Sequence, residues 1–235
     1  MRTTRSRWLP IIPLVLLISG ILVIQGLPGE ERASHIFIDD VSISVDGATV
    51  FQDDVRNETA TEKWRTMEHA HTTDEAYNSP PSSLALRCAE SKKAEHGTLH
   101  PRISIDPAWA RLNITWAVKI PREALLGDET RHDLSLFFTE GGEGRSRLGC
   151  TIGLTEELSR ISATAVYFGD HAPPIYDKER EIDFDHVRWH RVTLLLERQR
   201  ARVCFDDEVV CDFAIHAGYL AEEIDLRWWA YWERT

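Results

Sequence analysis

Hydrophobic and polar residues alternate with a period of two in short runs along most of the chain. In LNITWAVKI (112–120), apolar side chains occupy every even-numbered position from Leu112 to Ile120, and polar or small ones lie between them. Such alternation is typical of a strand that buries one face in an antiparallel sheet. Clusters of Gly, Pro, Asp and Asn separate the runs, and few stretches have the spacing of a long helix. The pattern predicts an all-β chain whose two antiparallel sheets form a sandwich.

The last run, IDLRWWAYWE (224–233), combines the same alternation with aromatic residues. One face is assigned to the core, with Trp228 on it, and we interpret Trp189 of the WHRV run as a core residue too. The opposite face carries Arg227, Trp229, Tyr231 and Glu233. Flat rings beside charged groups suit a sugar, because the rings cover the apolar side of a pyranose while the polar groups bind its hydroxyls. We therefore interpret this second set as candidate carbohydrate-binding residues; the alternative is that a loop or the facing sheet covers the two rings.

The amino terminus has the pattern of an export signal. Arg2, Arg5 and Arg7 precede an uncharged run that extends from Trp8 to Gly29. This arrangement predicts a signal peptide or a signal anchor over residues 1–29, followed by an exported domain over residues 30–235. The absence of a clean small-x-small cleavage site favours an uncleaved anchor, and hence contact with a membrane. The expected location is the cell surface or the periplasm.

The net charge is −11, and it is unevenly distributed. The three arginines of the amino terminus precede the first acidic residue, Glu30, so the chain from that residue onward carries three negative charges more, −14. Nucleic-acid binding depends on clustered Lys and Arg. The charge therefore excludes nucleic acid as an expected partner.

Export makes the four cysteines candidates for disulfides, because an oxidising compartment allows thiols to pair. In RVCFDDEVVCDF, a two-residue turn at Asp207-Glu208 would place Cys204 directly opposite Cys211, at a separation that suits a disulfide. Cys88 and Cys150 would then remain for each other. The alternative is four buried free thiols.

Three motifs follow one another along the chain: VFQDDV (50–55, with Trp64 after it), SPPSSLALRC (79–88) and WHRVTLLLERQRARVCFDDEVVCDF (189–213). Together they resemble the concanavalin A-like lectin/glucanase superfamily, also called laminin-G-like jelly rolls, over residues 48–232. Val55 stands where Phe is usual, and Asp206-Asp207 where Asp-Gly is usual. The resemblance implies a two-sheet antiparallel jelly roll in a superfamily of sugar-binding modules, glycosidases and lyases, and fold alone does not choose among these.

EIDFDH (181–186) resembles the Glu-x-Asp-x-Glu strand of the laminarinase-like glycosidases in that superfamily. The resemblance would make Glu181 the nucleophile, Asp183 its helper and Asp185 the acid/base. Asp185 is one methylene shorter than the usual Glu, and retaining hydrolysis depends on the distance between the two carboxyl groups. EIDFDH also runs into VRWHRV without a turn residue between them. We therefore interpret it as the acidic approach to the WHRV strand, and not as a catalytic strand.

Metal sites are predicted only weakly. The pairs His69/His71 and His186/His190 lack a nearby third ligand for zinc. Members of the superfamily that the chain resembles often hold a structural calcium ion. Asp53, Asp54 and Asp225 are the candidate ligands for such an ion here. No other cofactor is expected.

These observations predict an exported, non-catalytic carbohydrate-binding or adhesion-type module whose partner is a carbohydrate or another component of the cell envelope. The alternative function is a laminarinase-like glycoside hydrolase that uses Glu181 and Asp185. A purely structural domain of an envelope assembly is a third reading. One surface expectation is independent of function: Asn113, in an Asn-Ile-Thr sequon, lies on the polar face of its strand and should be accessible.

Overall fold

The computed structural model describes residues 35–53, 70–90, 102–104, 108–140, 143–167, 176–197, 199–215 and 223–233. Within these ranges lie fifteen strands: β1 His35–Val45, β2 Ala48–Asp53, β3 Ala70–Thr73, β4 Ser83–Arg87, β5 Ala89–Glu90, β6 Arg102–Ser104, β7 Arg111–Lys119, β8 Glu129–Glu140, β9 Glu143–Leu154, β10 Ser159–Tyr167, β11 Tyr176–Glu181, β12 His190–Glu197, β13 Arg200–Phe205, β14 Glu208–Ala214 and β15 Glu223–Glu233. A short 3₁₀ turn covers Arg122–Ala124. The predicted all-β class is confirmed for the described part of the chain.

The chain divides into two units, Met1–Ala33 and Ser34–Thr235. All the described strands belong to the second unit. The predicted signal peptide or anchor over residues 1–29 lies outside the described residues. No helix in the described ranges is long and apolar enough to cross a membrane.

The described strands form two sheets. Sheet 1 has the order β14-β13-β12-β7-β1-β4-β3, and β2 also pairs with β1. Sheet 2 has the order β11-β10-β9-β8-β15-β5, and β6 also pairs with β15. The two-residue β5 pairs with β15 in parallel, which is the exception to the predicted antiparallel pairing among the described strands.

The apolar faces of the two sheets share one core. Leu112, Ile114 and Trp116 of β7 are fully buried in it, together with Leu134 of β8 and Trp228 of β15. The faces predicted for β7 and β15 are therefore correct. Asn113 lies on the outer face as predicted, but it is half-buried rather than freely accessible.

The β13–β14 hairpin turns one residue earlier than predicted. Asp206 and Asp207 form the turn, both with positive φ (48° and 69°), which Asp tolerates better than most residues. A register shift follows, so Cys204 pairs with Val209 and Cys211 pairs with Val203.

The early turn and the register shift after it make the predicted Cys204–Cys211 disulfide wrong. Cys211 points into the core, while Cys204 is on the outer face and half-buried. The predicted Cys88–Cys150 disulfide is also wrong, because both residues are buried free thiols. No disulfide joins any of the four cysteines, as the alternative reading expects, although Cys204 is half-buried rather than buried.

A turn interrupts the segment that was expected to run straight into the WHRV strand. Strand β11 ends at Glu181 in sheet 2, a turn follows at 186–188, and β12 begins at His190 in sheet 1. The segment 182–189 is therefore the crossover between the two sheets. Trp189, which was predicted to be a core residue, is only half-buried, since the next residue is the one that points inward.

Candidate functional site

The outer face of sheet 2 carries polar side chains at every second position of its central strands. We call this surface the polar face of sheet 2 and define it by Glu129, Arg131, Asp133, Ser135, Arg147, Gly149, Thr151, Gly153, Arg160, Arg227, Trp229 and Tyr231. The residues between them, such as Leu134, Cys150 and Trp228, are in the core. Charged residues rarely become inaccessible on an outer face, yet Glu129 and Asp133 are both buried.

Asp133 lies at the centre of this surface and contacts the neighbouring strand. The phenolic O–H of Tyr231 donates a hydrogen bond of 2.8 Å to Oδ2 of Asp133. The other carboxylate oxygen, Oδ1, is buried and has no hydrogen-bond partner in good geometry among the described residues. A buried acceptor that lacks a donor costs free energy, so this atom is a natural point of attachment for a ligand donor.

The surroundings of Asp133 favour its neutral form. Burial raises the pKa of the Asp133 carboxyl, although the side chains of Thr151 and Tyr231 and the charges of Arg147 and Arg131 act to lower it. Burial and the adjacent carboxyl likewise raise the pKa of Tyr231. The pair therefore holds its protons more tightly than it would in water.

Glu129 forms the second anchor of the polar face. Its Oε1 accepts a hydrogen bond of 2.7 Å from Arg160, and its Oε2 accepts one of 2.7 Å from Arg131. Burial would raise the pKa of Glu129, but the two guanidinium groups hold it below its usual value. This carboxylate is therefore ionised and occupied on both oxygens.

A glycine makes the Glu129 contact possible. A Cβ atom at Gly153 would lie 2.3 Å from Oε1 of Glu129, far inside van der Waals contact. Glu129 and Arg160 thus meet across β9 in the space that the missing side chain leaves. At Gly149, on the same strand and face, an added Cβ would find only ordinary contacts at 3.9 Å.

Trp229 is not the bare platform that the sequence predicts. The guanidinium carbon of Arg147 lies 5.4 Å from the centroid of the Trp229 ring, and Arg147 also donates to the hydroxyl of Ser135 at 3.0 Å. Stacking of this kind fixes a guanidinium group in a plane. The exposed surface at this point is therefore an arginine supported by an aromatic ring.

The other sugar-binding residues predicted from sequence have mixed outcomes. Arg227, Trp229 and Tyr231 are half-buried on the outer face, where the alternation placed them. Glu233 is the last residue of β15, and its side chain is outside the described part of the structure. The Tyr231 hydroxyl is already bonded to Asp133, so this residue positions the carboxylate in addition to offering a ring.

The three residues of the alternative catalytic motif do not share one strand. Glu181 ends β11, whereas Asp183 and Asp185 follow it in the crossover segment, and all three are exposed. Oδ1 of Asp185 accepts the backbone N–H of Val187 at 2.9 Å. Asp185 therefore has a local structural contact within a turn.

The predicted metal ligands lie partly outside the described residues. No group of three or more His, Cys, Asp or Glu side chains there could hold a metal ion. Asp53 is buried at the end of β2, while Asp54 and the side chain of Asp225 lie outside the described part. His69 is likewise outside it, and His71 contacts the His35 ring edge-on at 5.2 Å.

The second histidine pair is engaged in structural contacts. Nδ1 of His186 lies 2.8 Å from the carbonyl oxygen of Ile120. Nδ1 of His190 lies 2.8 Å from Oδ2 of Asp206, which can only accept, so the ring donates there. Its Nε2 lies 3.0 Å from both the backbone nitrogen and the carbonyl oxygen of Asp185. Both rings are therefore held by protein groups.

Sequence reasoning missed Glu129 and Asp133. The signal was present, because ETRHDLSLFF (129–138) places polar residues at every second position of a strand that also contains Leu134 and Leu136. The alternation does not reveal that Glu129 and Asp133 are buried although they lie on the outer face.

Comparison with known proteins gives structural likenesses only. No family model and no curated protein matches the chain. Among solved structures, sheep galectin-11 in complex with glycerol is 10% identical with a TM-score of 0.37, covering 58% of this chain and 92% of that one. A glycoside hydrolase family 16 endo-glucanase from Bacteroides ovatus is 8% identical with a TM-score of 0.43, covering 81% and 80%. The carbohydrate-binding module CBM66 from Bacillus subtilis is 13% identical with a TM-score of 0.25, covering 72% and 94%.

The galectins and the family 16 hydrolases belong to the concanavalin A-like superfamily that the sequence resembles. At these TM-scores the likeness carries no argument about the ligand or the activity of this protein.

Proposed function

We propose that this chain is an exported, non-catalytic carbohydrate-binding module with a jelly-roll sandwich, and that it binds its glycan on the polar face of sheet 2. The observation that carries the proposal is the buried carboxyl of Asp133, whose Oδ1 has no hydrogen-bond partner in good geometry among the described residues. Near it lies the guanidinium group of Arg147, which is supported by the ring of Trp229. Carboxylates and guanidinium groups fixed in place bind adjacent sugar hydroxyls, one as acceptor and the other as donor. A sugar hydroxyl that reaches Oδ1 of Asp133 supplies this donor.

The state of the carboxyl groups supports binding over hydrolysis. Glu129 is occupied on both oxygens and has a lowered pKa, so it is neither a proton donor nor a free nucleophile. Its partner in any acid/base pair on β8 would be Asp133, four residues away along the strand, at roughly 13 Å between Cα atoms. Glycoside hydrolysis needs two carboxyl groups that close on one bond from about 5 to 9.5 Å apart. The laminarinase-like alternative with Glu181 and Asp185 has less support, since Asp185 lies in a turn.

A glycan-array screen of the full chain in detergent, run beside a reducing-sugar release assay on the same polysaccharides, tests this function. We expect binding of at least one polysaccharide without release of sugar. Asp133→Asn should weaken that binding about tenfold or more, equivalent to about 1.4 kcal/mol. Glu157→Gln, a carboxylate change on an exposed turn, is the matched control and should leave binding unchanged.

Two results would reject the proposal. One is the absence of binding to every polysaccharide on the array. The other is release of sugar by the wild type that Glu181→Gln abolishes, which would establish the hydrolase instead.

Export is part of the proposal, and it rests on the arginines and the apolar run of residues 1–29. We expect this segment to remain attached as a membrane anchor. Amino-terminal sequencing of membrane-extracted protein checks this, and a mature chain that begins near Leu27 would show that the segment is cleaved.

A further inference from the structure

A hollow of about 340 Å³ opens on the outer face of sheet 1, on the opposite side of the sandwich from the polar face of sheet 2. Thr115 and Ala117 of β7 form its floor. Its two walls carry Asp40 and Asn78 on one side, and Trp189 and Arg191 on the other. The hollow therefore combines an indole ring with acceptors and donors of hydrogen bonds.

The first wall is held from beneath by a buried carboxylate. Asp39 is fully buried, and its Oδ2 accepts the backbone N–H groups of Asn78 and Ser79, each at 2.8 Å. Asp40 has a positive φ of 50°, and its Oδ2 accepts the side-chain amide of Asn78 at 2.6 Å. A non-glycine residue in this region is strained, so the surrounding contacts must hold it there. The wall is thus preorganised.

The opposite wall is held by the half-buried carboxylate of Asp206 and the buried ring of His190. Asp206 accepts hydrogen bonds from Nδ1 of His190 at 2.8 Å and from the backbone N–H of Arg191 at 2.9 Å. The His190 ring lies between Phe184 and Phe205, with centroids 4.3 and 4.7 Å away. These contacts fix the start of β12, and with it Trp189 and Arg191.

We propose that this hollow is a second ligand site, which takes one neutral pyranose residue and works independently of the polar face of sheet 2. Of the three carboxylates that line it, Asp206 is paired with Arg188 and Asp207 with Arg191. The third, Asp40, accepts hydrogen bonds from the side chains of Asn78 and Ser79, so all three are already engaged, which favours a neutral ligand over an ion. The indole of Trp189 can cover the apolar side of a sugar ring, while Asn78, Asp40 and Arg191 bind its hydroxyls. Rigid walls reduce the entropy that binding costs.

Fluorine NMR of the full chain labelled with 5-fluorotryptophan tests the site. Trp189→Phe identifies the Trp189 resonance by its loss. The probes are methyl β-D-glucopyranoside, methyl β-D-galactopyranoside and methyl α-D-mannopyranoside, each added singly at millimolar concentration. We expect at least one of them to shift the Trp189 resonance with saturation.

Variants separate this site from the first one. Asn78→Ala and Arg191→Gln should each weaken the probe about tenfold, whereas Asp133→Asn should leave it unchanged, because that residue belongs to the other face. The side chain of Arg191 is exposed, so its replacement should leave the fold intact. Arg191→Gln therefore tests the site even if Asn78→Ala folds poorly. The proposal is overturned if no probe shifts the Trp189 resonance, if the shift survives both variants unchanged, or if Asp133→Asn abolishes it.

Discussion

The hydroxyl of Tyr231 donates a 2.8 Å hydrogen bond to Asp133, a carboxylate that lies on the outer face of its sheet and is nevertheless only 6% exposed. The two residues are diagonal neighbours on adjacent strands, β15 and β8, although 98 positions separate them in the chain. Burial keeps the pKa of the carboxyl above its ordinary value, so its ionised form is less stable in the folded protein than in water. An arrangement that costs stability at neutral pH is expected at a ligand site.

Asp133→Asn should raise the free energy of unfolding at pH 7. Because the folded pKa of Asp133 is raised, its favourable contribution is complete below the unfolded value of 3.8 and is lost as the pH rises through the folded pKa. Tyr231→Phe should lower the free energy of unfolding by about 1 to 3 kcal/mol, since it removes the donor to a buried carboxylate. Urea denaturation of both single variants and the double variant measures the coupling. Additive effects would show that the hydrogen bond does not couple them.

Gly153→Ala should destabilise the protein by about 1 to 3 kcal/mol. The added Cβ would meet Oε1 of Glu129 at 2.3 Å and force it away from Arg160. Gly149→Ala is the matched control, because its new atom would make only ordinary contacts on the same strand and face. Thermal unfolding of the two variants compares them, and equal losses would mean that the cost is general to β9 rather than due to the Glu129 contact.

His132 should make the protein less stable as the pH falls. Its side chain is fully buried, and burial lowers its pKa from 6.5 to about 4. Between these two pKa values His132 is protonated in the unfolded chain but not in the folded one. The free energy of unfolding therefore decreases on acidification by on the order of 3 kcal/mol.

The variant His132→Leu provides the test for this pH dependence. Asp133, whose pKa is raised, acts in the opposite direction and remains in the variant. Denaturant unfolding across the interval should show a flatter dependence on pH for His132→Leu than for the wild type. An unchanged acid limb would assign the effect to other groups.

Two tryptophans should differ sharply in their contribution to stability. Trp228 is fully buried in the core, so Trp228→Ala should cost about 3 to 5 kcal/mol. Trp189 is half-buried beside the hollow of sheet 1, and Trp189→Ala should cost less than half as much. The midpoints of urea unfolding check this difference, and a similar loss in both variants would place Trp189 in the core after all.

Cys204 should react first with a thiol reagent in the folded protein. It is half-buried, whereas Cys88, Cys150 and Cys211 are buried. Peptide mapping after brief alkylation should find the label on Cys204, and mapping without reduction should find no Cys204–Cys211 bridge. Detection of that bridge would require the hairpin register to shift by one residue.

The hairpin shows why register is difficult to predict. Asp-Asp and Asp-Glu are both acceptable turn residues, and the bulge that follows the observed turn moves the later side chains of β14, including Cys211, to the other face. The two Asp residues take positive φ because the Arg191 backbone and the His190 ring hold the Asp206 carboxylate. Those contacts come from a neighbouring strand, so the local pattern does not contain them.

The sequence by itself determined the all-β class, the two sheets and the faces of β7 and β15, because a period of two assigns side chains to alternate sides whatever the neighbours are. Only the tertiary structure decided that Asp133 is buried on an outer face. It also decided that the missing side chain of Gly153 leaves room for the contact between Glu129 and Arg160, and that the guanidinium group of Arg147 lies over the ring of Trp229. The physical reason is that each of these contacts joins side chains on different strands. Local periodicity specifies the side on which a residue lies, whereas strand order and register specify what it meets there.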